Sequence, residues 1–310
     1  MTTPNEQLLA LCAIDDVNWY VIAREAQRPD GLSSLLAGEV RERSDHGRAT
    51  ARLLRRALES GLDEQLERVR EEIQRATDAG AKLTTVLDDD YPANLRVVFN
   101  LSPFLFVRGE LARDDARSLA AVGTRTASEK GLAAARRMAG LLTDAGVTVL
   151  SGMALGIDTA AHEETLRRGG RTIAVLGTGI LRTYPKQNAE LAERIAATGA
   201  LVSQFWPSQS PARYTFPRRN VVTSGLAQGT VVVEATSTSG AKMQARLALE
   251  HGKQVFLLRE LVTTQPWARK YLDRGAVEVG HVDDVLTRLR TPEQVEELTA
   301  GRRQLTLELA

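Results

Sequence analysis

SGMALGIDTAAH, residues 151–162, is the stretch whose reading decides the fold. The residues just before it, GVTVL, are apolar and β-branched and read as a short buried strand. The residues from Thr159 onward, TAAHEETLRR, place apolar side chains at three-to-four spacing and read as a helix. Ser151, Gly152 and Gly156 stand at the junction. Small residues in such a turn let a ligand reach the backbone, and the start of a helix presents amides that attract anions. Asp158 is expected to cap the helix, and His162, one turn later, to pair with Asp158 or a neighbour. A strand-to-helix turn of this composition also arises without a ligand, so the flanking units decide.

From about residue 117 the same grammar repeats. SLAAVG, VTVLSG, TIAVLG, ALVSQF, TVVVEA and QVFLL are short runs rich in Val and Ile. EKGLAAARRMAGLLTDAG, NAELAERIAATG and SGAKMQARLALEHG, between them, carry helical periodicity. Continuous apolar strands imply burial on both faces. Their alternation with helices predicts an α/β fold, a mostly parallel sheet with helices on both faces. Such sheets bind ligands at the carboxyl ends of their strands. There the sequence places Gly123-Thr124-Arg125, Ser151-Gly152, Gly177-Thr178-Gly179 and Glu234, with Ser239-Gly240 opening the next helix. Several such ends in one sheet predict a shared anion site.

Upstream, residues 1–80 lack aliphatic strand runs and read as a small all-helical N-terminal domain. LLALCAI, VNWYVIAREAQ, LSSLLAGEV, RATARLLRRALES and DEQLERVREEIQRATDAG are its helices, punctuated by DD, RPDG, RSDHG and SGLD. Residues 81–290 form the α/β domain, led in by two strand candidates. Residues 291–310 are expected to be a tail or one helix.

Composition limits the function. Lys plus Arg is 40 and Asp plus Glu is 39, a net charge of +1, which argues against a globally basic nucleic-acid binder but leaves a local patch open. The single cysteine, Cys12, sits in an apolar run and is read as a core residue, and one cysteine allows no internal disulfide. The beginning of the chain has no leader pattern and no run reaches membrane-spanning length, so a cytoplasmic protein with no membrane partner is expected. Four scattered histidines give no zinc spacing. GTGILR, residues 177–182, lacks the third glycine of a dinucleotide fingerprint, and Gln204 stands where an acid would follow. No cofactor is expected.

YTFPRRNVVTSGL, residues 214–226, groups Arg218, Arg219 and Asn220 with two aromatics, Tyr214 and Phe216, just after Arg213. Arginine forks hold phosphates and aromatics stack on unpaired bases. A solvated loop with its aromatics in the core fits the same residues, and both readings stay open. Lys242 falls in the first turn of a helix, where a bound anion would relieve its clash with the dipole; an exposed lysine is the plainer reading.

Together, VGTR, SGMALGIDTAAH, TIAVLGTGILRTYPKQN, FPRRN, VVVEATSTSGA and the following A-x-x-x-G-K-x-V resemble the DprA/Smf family of DNA-processing proteins, from about residue 80 to 285. The resemblance implies a Rossmann-like domain that binds single-stranded DNA without catalysis. It also implies a part in DNA processing and recombination, loading of the RecA recombinase during natural transformation, and a homodimer. Carried over by motif, Arg125, Ser151, Gly152, Arg218, Asn220 and Lys242 would face DNA phosphates. Gly123, Gly177 and Gly179 would keep the crevice open. Thr124, Thr178, Arg219, Ser239 and Gly240 complete the candidate set. The sequence departs from the family pattern at Gln204, Val221 and Gln244. Those changes motivate two alternatives: a small-nucleotide sensor in a defence or stress pathway, and a nucleotide phosphoribohydrolase using Glu234 of GLAQGTVVVEA.

Overall fold

The computed structural model describes residues 2–308, with side chains through residue 301. Residues 1, 309 and 310, the outer ends of the expected helical region and tail, lie outside the described residues.

Five helices come first: α1 (Pro4–Cys12), α2 (Trp19–Ala26), α3 (Gly31–Leu36), α4 (Asp45–Ser60) and α5 (Asp63–Asp78). Polar residues before them set where they start. The Thr3 hydroxyl accepts the Glu6 amide at 3.2 Å while the Glu6 carboxylate accepts the Thr3 amide at 2.7 Å, a reciprocal cap. The side chains of Asn18 and Ser44 cap α2 and α4 by accepting first-turn amides, those of Tyr20 and Val21 and that of Gly47. The buried sides of these helices share one core with the start of the sheet: Leu8, Leu11, Ile22, Leu54 and Val69 join Phe104, Phe106 and Leu201. At that seam Trp19 lies 5.0 Å from Phe104 and 5.9 Å from Trp206, ring centre to ring centre.

Two strands follow, β1 (Ala81–Thr85) and β2 (Phe104–Gly109), with a short helix α6 (Ala93–Arg96) between them. Next come β3 (Ser118–Val122), α7 (Glu129–Asp144), β4 (Thr148–Ser151), α8 (Ile157–Arg167), β5 (Thr172–Val175), α9 (Ala189–Thr198), β6 (Ala200–Ser203), α10 (Thr215–Leu226), β7 (Gly229–Val232), α11 (Gly240–Glu250) and β8 (Gln254–Leu258). The described chain ends with α12 (Arg259–Thr264), α13 (Pro266–Leu272), β9 (Val277–Val279), α14 (Asp283–Leu286) and α15 (Pro292–Glu308). The strands form one sheet in the order β1-β2-β6-β5-β4-β3-β7-β8-β9. β2 runs antiparallel to β1 and to β6, and the pairs from β6 to β9 are parallel. The six expected α/β strands are therefore β3 to β8. β9 escaped the sequence reading because its three residues, VEV, carry a charge in the middle and no aliphatic run.

Helices cover both faces. Leu119 and Ala121 point into one apolar cluster with Met138, Leu142 and Phe256. Ala120 and Val122 point into the other, with Val232, Ala245 and Leu257. Period-two alternation with both sides apolar is what makes these strands read as continuous hydrophobic runs.

The segment left open between loop and ligand site is a helix, α10. Pro217 falls in its first turn, where no intrahelical bond is needed from its nitrogen. Asn220 to Leu226 are all buried, against α11 and the sheet. The stretch after Thr291 is also helical. α15 is tied to the turn before β3 by Arg113, which reaches Glu296 at 2.6 Å and Glu293 at 3.2 Å.

Candidate functional site

β3 and β7 are neighbours, but the connection after β3 leads to β4 on one side and that after β7 leads to β8 on the other. The strand order reverses there and the two connections diverge, which leaves a crevice beyond the strand ends. Its cavity is about 270 Å³, walled by the 123–125 turn, Gly152, the first turns of α8, α10 and α11, and Gln244.

Arg219 is the central cation. It enters from α10 and its Nη1 donates to the Val175 carbonyl at 2.9 Å. A Cβ on Gly152 would sit 1.7 Å from that Nη1, so this position must lack a side chain for the guanidinium to lie where it does. Burial lowers the pKa of Arg219, and the nearby Asp158 carboxylate partly offsets this. Burial likewise raises the pKa of Asp158, against the pull of Arg219. Neither Arg219 nor Arg125 forms a close ion pair with a carboxylate among the described residues, so an entering anion meets two guanidinium groups against the single carboxylate of Asp158.

Asp158 is not the cap of α8. The helix starts after Gly156, whose φ of 82° turns the chain, and Asp158 lies inside the first turn. Its Oδ2 instead accepts the Ala154 amide at 3.3 Å, bracing the turn in front of the helix. His162 does not bond Asp158 either. It is fully buried below the crevice, with Nε2 2.7 Å from the Gly152 carbonyl and Nδ1 2.7 Å from the Thr172 hydroxyl. Burial pushes its pKa down to about 4, so the ring is neutral. Its proton on Nε2 then donates to the carbonyl, while the Thr172 hydroxyl, 2.7 Å from Nδ1, donates to the Val149 carbonyl at 2.7 Å. His162 is a strut for the Gly152 turn.

Arg125 is exposed at the rim, its guanidinium 5.3 Å from the centre of the Phe216 ring. Phe216 lies over Gly177, where a Cβ would come 2.7 Å from the ring. Tyr184 stands 5.9 Å from Phe216 and is 47% exposed. These aromatics, with Met153, Leu155 and Arg125, enclose a smaller hollow of about 180 Å³ that adjoins the crevice.

The expected site residues divide clearly. Gly123, Thr124, Arg125, Gly152, Arg219, Asn220, Ser239 and Gly240 line the crevice together, and Gly177 lines the adjoining hollow. Ser151 and Thr178 do not face it. The Ser151 hydroxyl is fully buried and donates to the Ala121 carbonyl at 2.6 Å, and the Thr178 hydroxyl donates to the Arg182 carbonyl at 2.6 Å. Gly179 is small because the Trp206 and Pro207 carbonyls pass over it. The Lys242 ammonium donates to the Ser237 carbonyl at 3.2 Å, holding the loop before α11. Arg218 points away altogether, its guanidinium 5.1 Å above Trp19 in the N-terminal helical layer. Consecutive helical residues sit about 100° apart, so one of the two arginines enters the crevice and the other leaves it.

The sequence reading missed Thr223 and Tyr184 as site residues, left Phe216 open between a base contact and the core, and took Gln244 only as a departure. Gln244 is buried. With its carboxamide turned to suit its neighbours, Nε2 donates to the Asn220 carbonyl and Oε1 accepts the Ser224 amide, both at 3.2 Å, clamping α10 to α11. Glu234 accepts the Ser128 hydroxyl at 2.6 Å and the Ser128 amide at 3.2 Å, so its carboxylate fastens the start of α7.

The family model for DNA recombination-mediator protein A matches residues 82–290. The chain belongs to that family. A Mycobacterium tuberculosis DNA processing protein DprA is 31% identical over 288 residues, covering 86% of this chain and 73% of that one. The DNA processing protein DprA of Streptococcus pneumoniae is 36% identical over 174 residues, 56% of this chain and 61% of its own. Protein Smf of Escherichia coli is 43% identical over 169 residues, 54% of this chain and 45% of its own. The chain thus spans about half the length of several curated relatives that it matches. The crystal structure of Streptococcus pneumoniae DprA superposes with a TM-score of 0.73 at 26% identity, over 94% of this chain and 99% of that one. A Helicobacter pylori DprA structure, described for its single-stranded DNA binding mode, shares the fold, with a TM-score of 0.59 at 23% identity over 66% of this chain and 94% of that one.

Proposed function

We propose that this protein binds single-stranded DNA in the switch-point crevice and acts as a non-catalytic mediator of DNA processing and recombination. The observation that carries this reading is the pair Arg125 and Arg219. Two guanidinium groups with no close ion-pair partner among the described residues face a small cavity walled by glycines and hydroxyls, which suits phosphates rather than a carbonyl substrate. Phe216 and Tyr184 beside it offer faces to unpaired bases. The engagement of Glu234 with Ser128 weighs against a hydrolase built on that carboxylate. The sequence resemblance to the family further implies a homodimer that presents the strand to the RecA recombinase, and the sequence reading adds a cytoplasmic place and the layout 1–80 and 81–290 with a short C-terminal element. No described helix is long and apolar enough to cross a membrane.

The test is fluorescence anisotropy of a labelled oligothymidine, single against double-stranded, over a salt series. Tight binding that prefers single strands and weakens with salt supports the reading. Equal affinity for both forms, or none at low salt, sinks it. A small-nucleotide sensor is the second reading, favoured by the side-chain amides of Asn220 and Gln244 that line the crevice. A thermal shift with a nucleotide panel separates the two, since a specific nucleotide ligand raises the melting temperature and indifference to the whole panel removes the sensor.

A further inference from the structure

Arg218 and Tyr214 were singled out by sequence, yet the crevice does not use them. Both line a separate groove of about 600 Å³ between the N-terminal helices and the 205–218 segment. We propose that this groove is a second track for the same unpaired strand, which leaves the crevice across the first turn of α10 and runs along Arg213, Tyr214 and Arg218. The inference rests on the DNA reading of the crevice.

Continuity is the first argument. Arg219 and Arg218 are adjacent on one helical turn, one in the crevice and the other in the groove. A strand whose phosphate sits at Arg219 needs to pass only the end of α10 to reach Arg218.

The state of the side chains is the second argument. Tyr214 is 53% exposed and its hydroxyl makes one long contact, 3.4 Å to Gln209. Arg213 is exposed and has no hydrogen-bond or ion-pair partner among the described residues. Arg218 stacks on Trp19 with no carboxylate partner among the described residues, an arrangement that leaves its charge available. Arg68 and Glu72, which also line the groove, are committed. Arg68 donates to the Ala13 carbonyl, and Glu72 accepts both the amide and the hydroxyl of Ser208 and pairs with Arg75.

Polarity within the groove is the third. Asp15 and Asp16, both exposed, stand on the wall formed between α1 and α2. They repel phosphates from that wall. The backbone of the strand is therefore kept on the Arg213–Arg218 side, and its bases turn toward Tyr214. The N-terminal helical layer would then shape the DNA footprint as well as pack on the sheet.

The experiment compares a short oligothymidine of ~6 nucleotides, which fills the crevice, with one of ~25, which also reaches the groove. Three proteins are used: the parent, Arg219→Ala, and the triple variant Arg213→Ala/Tyr214→Ala/Arg218→Ala. Melting curves first establish that each is folded. The triple variant is expected to bind the long oligomer about tenfold more weakly while binding the short one like the parent. Its salt slope on the long oligomer becomes shallower by about 1.4, the loss of two phosphate contacts. Arg219→Ala weakens both lengths. If the triple variant matches the parent on both lengths, Arg218 only staples the two layers and the second track is wrong. If it weakens both lengths equally, these residues serve the crevice and the track is again wrong. If the parent binds neither oligomer, the crevice reading fails, and the track with it.

Discussion

Two hollows lie at opposite ends of the same strands and carry opposite charge. The crevice at the carboxyl ends of β3 and β7 holds Arg125 and Arg219 against one buried acid, Asp158. At the other end, between the turn before β3, the start of α6 and α15, a cavity of about 380 Å³ is lined by Asp89, Asp90, Asp115 and Glu296 against one arginine, Arg113. The chain as a whole is nearly neutral, at +1. The near-neutral total therefore does not describe either hollow, because a ligand responds to the field at its own site. Strands of four or five residues separate the ends by about 15 Å. That exceeds the screening length of ~8 Å at physiological salt, so each end acts separately.

The strongest way to break this comparison is to erase the positive end. Arg125→Ala/Arg219→Ala is expected to lower single-stranded DNA affinity on the order of 100-fold and to flatten the salt slope by about 1.4. An unchanged slope in the anisotropy series would place the DNA elsewhere.

A second test uses pH to compare what lies under the two arms of the fold. His162 supports the crevice, while His251 is bonded to Ser224 and Asn100 at the far part of α10. Burial lowers each from 6.5 to about 4. The unfolded chain then takes up protons that the folded one refuses, so stability is full above about 6.5 and falls as pH drops toward 4. At pH 5 the loss is about 2 kcal/mol per histidine. Urea titrations at pH 7 and 5 measure it, and His251→Asn is expected to remove about half of the difference. A stability that stays flat over this range would mean that the rings are not held neutral.

Gly152→Ala sharpens the comparison without touching charge. The new methyl meets Arg219 Nη1 and pushes the guanidinium off the Val175 carbonyl. Affinity should fall about tenfold, ~1.4 kcal/mol, with the salt slope kept. A slope that changes as well would mean that Arg219 had left the site altogether. The smallest effect is expected at the other end, where Asp89→Asn/Glu296→Gln should leave DNA affinity within about twofold because of screening. A large gain in affinity there would show that total charge governs binding and would dissolve the contrast.

Much of the site was legible, and the misses share a cause. The strand ends, the anion-attracting turns and Arg125 follow from local composition, because a glycine-rich turn after an apolar strand behaves alike wherever it occurs. Asp158 was read as a cap because Asp near a helix start usually is one. The tertiary fold started the helix at Gly156 instead and turned the carboxylate onto the Ala154 amide. Ser151 and Thr178 were assigned by position, but Ser151 ends β4 with its side chain turned inward, and the Thr178 hydroxyl, in the turn after β5, closes onto the Arg182 carbonyl.

The sequence alone determined the α/β class, the helical N-terminal region, and the end of the sheet at which the crevice opens. Hydrophobic period and turn chemistry are local properties, and they carry that information directly. Tertiary structure alone decided which of two adjacent arginines enters the crevice. That choice depends on the rotation of α10, set by burying Val221, Val222 and Leu226 and by the Gln244 clamp from α11. Residues far apart in the chain fix that angle, so no local pattern records it.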